Sequence, residues 1–271
     1  MASLRSGLVA LSVLAAGPVF AADIPPRPAP QQYAIAPTPT HDIVLELGAG
    51  AQVRPTYEGS KDFEVWPTGF FELHYLRIPG YGEVKKSRIE QGWSIGPSLR
   101  YTSKRKSADY SELTGLNDVG ASYEAGARVA YTFGMLRPWA ALRYGFGGFS
   151  GFIGETGLDF IFQLNPATEV TIGPRASFAS RDYMETYFGV TPAEAARSAL
   201  TAYAPGGGFK GVGGELTTRY EFMPQWNVVG VVSYERLIGD AADSPIVQVG
   251  NENQFTFKLG ITHTFGLRLF H

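Results

Sequence analysis

Residues 43–53, IVLELGAGAQV, decide the fold. Ile43, Leu45, Leu47, Ala49, Ala51 and Val53 fall on one side of an extended chain, and Val44, Glu46, Gly48, Gly50 and Gln52 on the other. Strand side chains point alternately to opposite faces, so this period of two marks a strand with one apolar face and one polar or small face. The pattern returns in WSIGPSLRYT (residues 93–102) and over residues 123–133, 136–146, 156–164, 170–178, 212–222, 226–234 and 255–265. Residues 65–75 are a less regular member, because Trp66 and Phe70 fall on the otherwise polar face. Each segment has roughly the ten residues that a tilted strand needs to cross a bilayer.

The polar face carries Glu46, Glu72, Arg100, Glu124, Arg128, Arg143, Asp159, Arg175, Glu215, Arg219, Glu235 and Lys258, spaced by Gly, Ser and Thr. In a soluble barrel these charges would lie on the solvated exterior. In a transmembrane barrel the rule inverts, with the apolar face toward lipid and the charges toward the lumen. Tyr101, Tyr131, Phe133, Tyr144, Phe178, Tyr220, Phe222, Trp226, Tyr234 and Phe265 stand near strand ends on the apolar face, where interfacial girdles belong. The expectation is an all-β protein, a transmembrane antiparallel β-barrel of 10–12 strands.

Composition agrees. The chain of 271 residues has 33 Gly, 18 Phe, 14 Tyr and 4 Trp with only 18% charged residues, the usage of a strand-rich protein. A net charge of -2 leaves no basic surplus for neutralising phosphates, so no nucleic acid is expected as a partner. Residues 1–21, with Arg5, an apolar run from Leu8 to Ala16 and Val19-Phe20-Ala21, read as a cleaved signal peptide. The run is too short to span a membrane. Residues 22–41, DIPPRPAPQQYAIAPTPTH from Asp23, are proline-rich and read as a periplasmic tether. Residues 42–271 form the barrel. Without cysteine, nothing here rests on disulfides.

Connections alternate in length. Links at residues 103–120, 180–210 and 237–253 are long and 147–151 is moderate, whereas 134–135, 165–168 and 223–225 are short. Short periplasmic turns opposite long outer loops produce this alternation. Fifteen residues from Leu76 to Glu90 are too many for one turn, so either strands extend into them or a short hairpin lies inside residues 73–92. In the longest loop, Thr191-Pro192-Ala193-Glu194 is a capping box with proline at the first helical position, predicting a short helix over Ala193–Leu200. That loop, with Tyr183, Tyr187, Phe188, Thr191, Pro192, Glu194 and Tyr203, is the candidate lid folded into the barrel mouth, or an external recognition surface.

Several segments resemble the MipA/OmpV family of Gram-negative outer-membrane proteins, the MltA-interacting protein family. They are YEGS (57–60), GPSLRY (96–101), LTGLNDVGASYEAGA (113–127), DYMETYFGVTPAEAARSAL (182–200), GDAADSPIV (239–247) and NQF (253–255). The resemblance implies a non-enzymatic barrel in the cell outer membrane, surrounded by outer-membrane lipid and lipopolysaccharide. It also implies a scaffold linking a periplasmic murein hydrolase to a peptidoglycan synthase. A small channel or porin, or a surface adhesin, is the alternative. The proline-rich segment and the ending FGLRLFH depart from the family pattern, and Phe270 lies off the parity of Phe257, Leu259, Ile261 and Phe265.

Chemistry is sparse. His41 lies in the tether, His271 is terminal, and His74 and His263 have no nucleophile signature nearby, so no catalytic residue is assigned. No His or Cys cluster has ligand spacing, Asp240 and Asp243 lack a calcium-loop series, and PGGGF (205–209) lacks the residues of a phosphate cradle. No metal or cofactor is expected. Lumen charges of both signs in a barrel much narrower than a porin point to an interior closed by ion pairs.

Overall fold

The structure is a computed structural model and describes residues 41–79, 82–85 and 91–269. The signal peptide, the tether up to residue 40, and Phe270 lie outside the described residues. His41, the last tether residue, lies where its ring meets the backbone of Gly266.

The strands are β1 (Ile43–Pro55), β2 (Phe63–Ile78), β3 (Gly82–Lys85), β4 (Gly92–Thr102), β5 (Ser122–Thr132), β6 (Leu136–Gly147), β7 (Gly151–Asn165), β8 (Thr168–Ala179), β9 (Gly208–Met223), β10 (Trp226–Leu237) and β11 (Asn253–Leu267). They form one sheet in the order β3-β2-β1-β11-β10-β9-β8-β7-β6-β5-β4, with antiparallel neighbours throughout. β1 therefore pairs with β11, and the ten long strands curl into a nearly closed transmembrane barrel. The residues between β2 and β4 contain both expected features: β2 runs to Ile78, and the short β3 then folds back on it.

The barrel is inverted relative to a soluble protein. Leu47, Ile95, Leu99, Leu142, Ile172, Val232, Leu259 and Ile261 are exposed outward, while Glu46, Glu124, Arg143 and Asp159 are buried. So much contiguous apolar surface is unsustainable in water and suits lipid. Two aromatic girdles bound it. At the short-turn end Trp93 meets Tyr131 at 5.0 Å, and His263 stands 4.5 Å from both Trp226 and Phe265. At the long-loop end Tyr101 meets Tyr123 at 5.3 Å and Tyr234 meets Phe255 at 4.8 Å. Trp93 and Tyr101 are eight residues apart on β4, about 26 Å along the strand at about 3.3 Å per residue, or roughly 20 Å of height at a tilt near 40°.

Turn chemistry sets the short end. Phe133 and Leu136 exchange backbone hydrogen bonds of 2.9 and 3.1 Å around Gly134, whose φ of 60° lies where glycine is favoured, as the first central position of a II′ turn requires. At the other end the loops build the main apolar core. Helix α1 (Arg181–Phe188) buries Tyr183, Met184, Tyr187 and Phe188 against Val119, Phe149, Ile153, Leu237, Ala241 and Val247. A second cluster joins Tyr57, Leu113, Leu116, Val190, Leu200 and Ile246, the last from α3 (Pro245–Gln248).

The helix expected over Ala193–Leu200 is shorter, α2 (Pro192–Ala195), and it starts one residue earlier. Its capping box is present: Thr191 Oγ1 accepts from the Glu194 N–H at 3.3 Å, and Glu194 accepts from the Thr191 N–H at 2.8 Å. The helix stops because Arg197 turns away to donate to Gly115 O and Asn117 Oδ1, each at 2.6 Å, while Ser198 Oγ takes the Leu200 N–H. Leu200 then enters the core, where a continued helix would not deliver it.

Candidate functional site

Two connected regions hold the polar chemistry: the lumen and the cap over its long-loop end. In the lumen the predicted charges meet across strands. Arg143 donates to Glu124 at 2.8 Å, Glu155 at 3.2 Å and Ser98 at 3.0 Å, and Arg100 pairs with Glu155. Asp159 is the hub of a second group: Arg175 at 2.7 Å, Arg137 at 2.9 Å, Arg128 at 3.4 Å and the Trp139 indole N–H at 3.1 Å converge on its carboxylate. The Arg128 guanidinium also lies 4.1 Å over the Trp139 ring. Arg175 continues to Glu215 at 3.3 Å. A third group joins Arg219 to Glu46, with Glu72 at 3.6 Å and His74 Nε2 at 3.0 Å from Glu46. Lys210 bridges Glu58 at 3.1 Å and Glu235 at 3.3 Å. A charge buried away from solvent is stable only with such a partner.

Sequence reading missed Glu155, Arg137, Lys210 and Glu58. Glu155 was lost because β7 begins at Gly151, five residues before the strand expected from the pattern. Arg137 shares the parity of Arg143 and was there to be found. Lys210 sits at a register shift, with Ser177 opposite Gly211 and Phe178 opposite Phe209, so a β-bulge turns it inward against simple alternation. A similar irregularity between Val44 and Leu45 leaves His74 without a register partner on β1 and turns Tyr75 into the interior, where alternation places it outward.

The candidate outer-loop residues occupy distinct positions. Tyr183, Tyr187 and Phe188 are buried, so these rings are not presented to the surroundings. Tyr183 donates to Glu58 at 2.6 Å, and Tyr187 shares a 2.9 Å hydrogen bond with Ser122. Burial pushes the Tyr187 hydroxyl up to about 12 and that of Tyr183 well above its ordinary value. Glu194 accepts from the Asn117 N–H at 2.8 Å besides closing the capping box, tying the 103–121 loop to α2. Burial pushes the pKa of this carboxyl up, but the hydrogen bonds from Thr191 and Asn117 outweigh it and hold the group below the usual range. Thr191 and Pro192 are exposed, and Tyr203 packs half-buried on the second cluster. Ser244 Oγ donates to Phe188 O at 2.6 Å, and Arg105 donates to Tyr187 O at 2.9 Å.

Among the described residues, Glu46, Glu72 and His74 bring ligand atoms within 4.8 Å of one another. Arg219 already supplies the positive charge there, so the group reads as an ion-pair cluster. A cavity of about 20 Å³, room for a single water, lies between Glu72, Ser94, Gly96, Arg128, Ala130 and Arg137.

The family model described as MltA-interacting protein MipA matches residues 47–265. The MltA-interacting proteins of Escherichia coli (strain K12) and Shigella flexneri are each 34% identical over 103 residues, which is 37% of this chain. The match spans 40% of the length of those relatives. Among solved structures, the NanC porin has 8% identity and a TM-score of 0.37 over 81% of this chain and 98% of its own. OprG from Pseudomonas aeruginosa has 12% identity and a TM-score of 0.30 over 84% of this chain and 98% of its own. With the matched residues running from β1 through β11, this chain belongs to the MltA-interacting protein family.

Proposed function

We propose that this protein is a non-enzymatic outer-membrane barrel that docks a periplasmic murein hydrolase and links it to a peptidoglycan synthase. The family match over residues 47–265 supports the reading, since the relatives are named for an interaction with MltA. The interior supports it against a solute channel: three ion-pair groups cross-brace the lumen wall, and a packed aromatic cap covers its long-loop end. With the long loops outward, the partner meets the tether and the short turns, where Met135 and Met223 are exposed. The cap, α1 and α2 act as a lid that stabilises the mouth.

The test is affinity capture of a purified lytic transglycosylase on the full barrel, on a barrel lacking residues 23–41, and on one lacking residues 191–200. Capture by the first and third, weakened in the second, is the expected result. Loss of capture on deleting 191–200 from a correctly assembled barrel would move the docking face to the cap. Planar-bilayer recordings of the same protein should show no reproducible large conductance; a steady, weakly selective current would favour the channel instead.

A further inference from the structure

One seam of the barrel wall has no ladder. Among the described residues no backbone pairing joins β4 to β2, and β3 lines β2 only from Tyr75 to Ile78, at the short-turn end. Pro67 in β2 and Pro97 in β4 each lack the N–H that a ladder needs, and proline within sheets belongs on edges. The three most exposed large apolar side chains among the described residues flank this seam: Trp93 at 77%, Val65 at 73% and Leu99 at 68%.

The lumen side is also different here. On β5 and β6 the inward Glu124, Ala130, Trp139, Ala141 and Arg143 are buried. Along the seam the inward Thr68, Phe70, Ser94, Gly96 and Ser98 stay half-exposed, and Trp66 is 38% exposed although it faces the interior. Lys258, Gln52 and Trp66 are register partners across β11, β1 and β2, so they form one inward row, about 10 Å wide at about 4.8 Å per strand. One step toward the short turns, a Cβ on Gly260 would lie 2.4 Å from the Phe70 ring, so that ring packs closely against this glycine.

Lys258 has no hydrogen-bond or ion-pair partner among the described residues. The charged groups facing it are Arg100, Arg54, Glu215 and Glu155. Glu155 is held by Arg100 and Arg143, Glu215 by Arg175, and Arg54 by Glu64 at 3.0 Å. A half-buried ammonium with no direct ion-pair partner calls for an anion, and the uncovered rings beside it call for an apolar cover. A soluble anion meets only the first need and a neutral lipid only the second.

We propose that the seam between β2 and β4 admits one single-chain carboxylate from the bilayer, its chain on Trp66 and Phe70 and its carboxylate on Lys258. The probe is oleate, titrated into the intact barrel in maltoside micelles and read by native mass spectrometry. One adduct per barrel is expected, weakened about tenfold or more by Lys258→Gln, in keeping with loss of a charge-assisted hydrogen bond. Trp66→Ala should weaken it as well, Trp93→Ala on the outer face should not, and oleyl alcohol should bind the native barrel as poorly as oleate binds the Lys258→Gln variant. Equal retention by native, Lys258→Gln and Trp66→Ala barrels overturns the proposal, as does a loss on Trp93→Ala matching that on Trp66→Ala. Should an inward variant fail to assemble, Trp93→Phe with Trp226→Phe leaves Trp66 and Trp139 as the only tryptophans. Dibromostearate should still quench that fluorescence, and its failure to do so refutes the site.

Discussion

Asp159→Asn is the sharpest test of the view that ion pairs brace this barrel. The carboxylate is almost fully enclosed, at 2% side-chain exposure, and it neutralises Arg128, Arg137 and Arg175 while accepting from Trp139. The amide keeps the shape and removes the charge, leaving three guanidinium groups confined around a neutral group that still competes for their hydrogen bonds. Removing one partner of a buried pair costs about 3–5 kcal/mol, because the other charge stays buried and uncompensated. Among the described residues only Arg175 makes a further ion pair, with Glu215 at 3.3 Å, and Arg128 is partly relieved by the Trp139 face. The loss should therefore fall within that range. Equilibrium urea unfolding in detergent micelles, followed by tryptophan fluorescence, measures it as a shift of the midpoint. The double variant Asp159→Asn with Arg137→Met should recover more than about 1 kcal/mol, the coupling expected of contacting residues. A shift of less than about 0.5 kcal/mol in the single variant, the scale of ordinary surface changes, would refute the bracing argument.

Further expectations concern the cap and the wall. Glu194→Ala removes the acceptor of the Thr191 and Asn117 N–H groups and should loosen the α2 region by about 1–2 kcal/mol, seen as faster amide exchange at Asn117 and Thr191 with the barrel strands unchanged. Its carboxyl is held below the unfolded value, so its contribution is present above the usual carboxylate range and disappears as pH falls through the depressed folded value; the same exchange measurement in acid checks this. Tyr183 and Tyr187 have raised values, so their contribution is complete below about pH 10 and is lost as pH rises toward 12 and beyond, read by near-ultraviolet circular dichroism. Gly50→Val should impair assembly, since a Cβ there would stand 2.1 Å from Leu259 O in the neighbouring strand; the folded fraction on a semi-native gel reports it.

The period of two, its inversion and the alternation of link lengths were legible in the chain because they are local or nearly so. A strand exposes alternate residues whatever it pairs with, and only lipid makes an apolar outer face stable. The capping box was legible for the same reason, since Thr191 and Glu194 satisfy each other within one turn. Helix α1 carried a weaker signal: Arg181 and Glu185 are spaced for an i,i+4 pair, and Tyr183, Met184, Tyr187 and Phe188 share a face.

Which charges meet belongs to the closed sheet alone. Residues at one height in the lumen come from strands far apart in sequence, so Glu46 finds Arg219 and Glu58 finds Lys210 only once ten strands and their stagger are set. Two bulges then re-aim Lys210 and Tyr75, which no alternation rule anticipates. Trp66 and Phe70 first stand out in the sequence as interruptions of a polar face. The tertiary structure places them beside the seam that no ladder closes among the described residues and in line with Lys258. The amino-acid pattern thus determines a barrel that turns its apolar side to lipid, because side-chain alternation is a property of each strand. Register and closure determine the ion pairs, the cap and the seam, because these depend on which strands become neighbours.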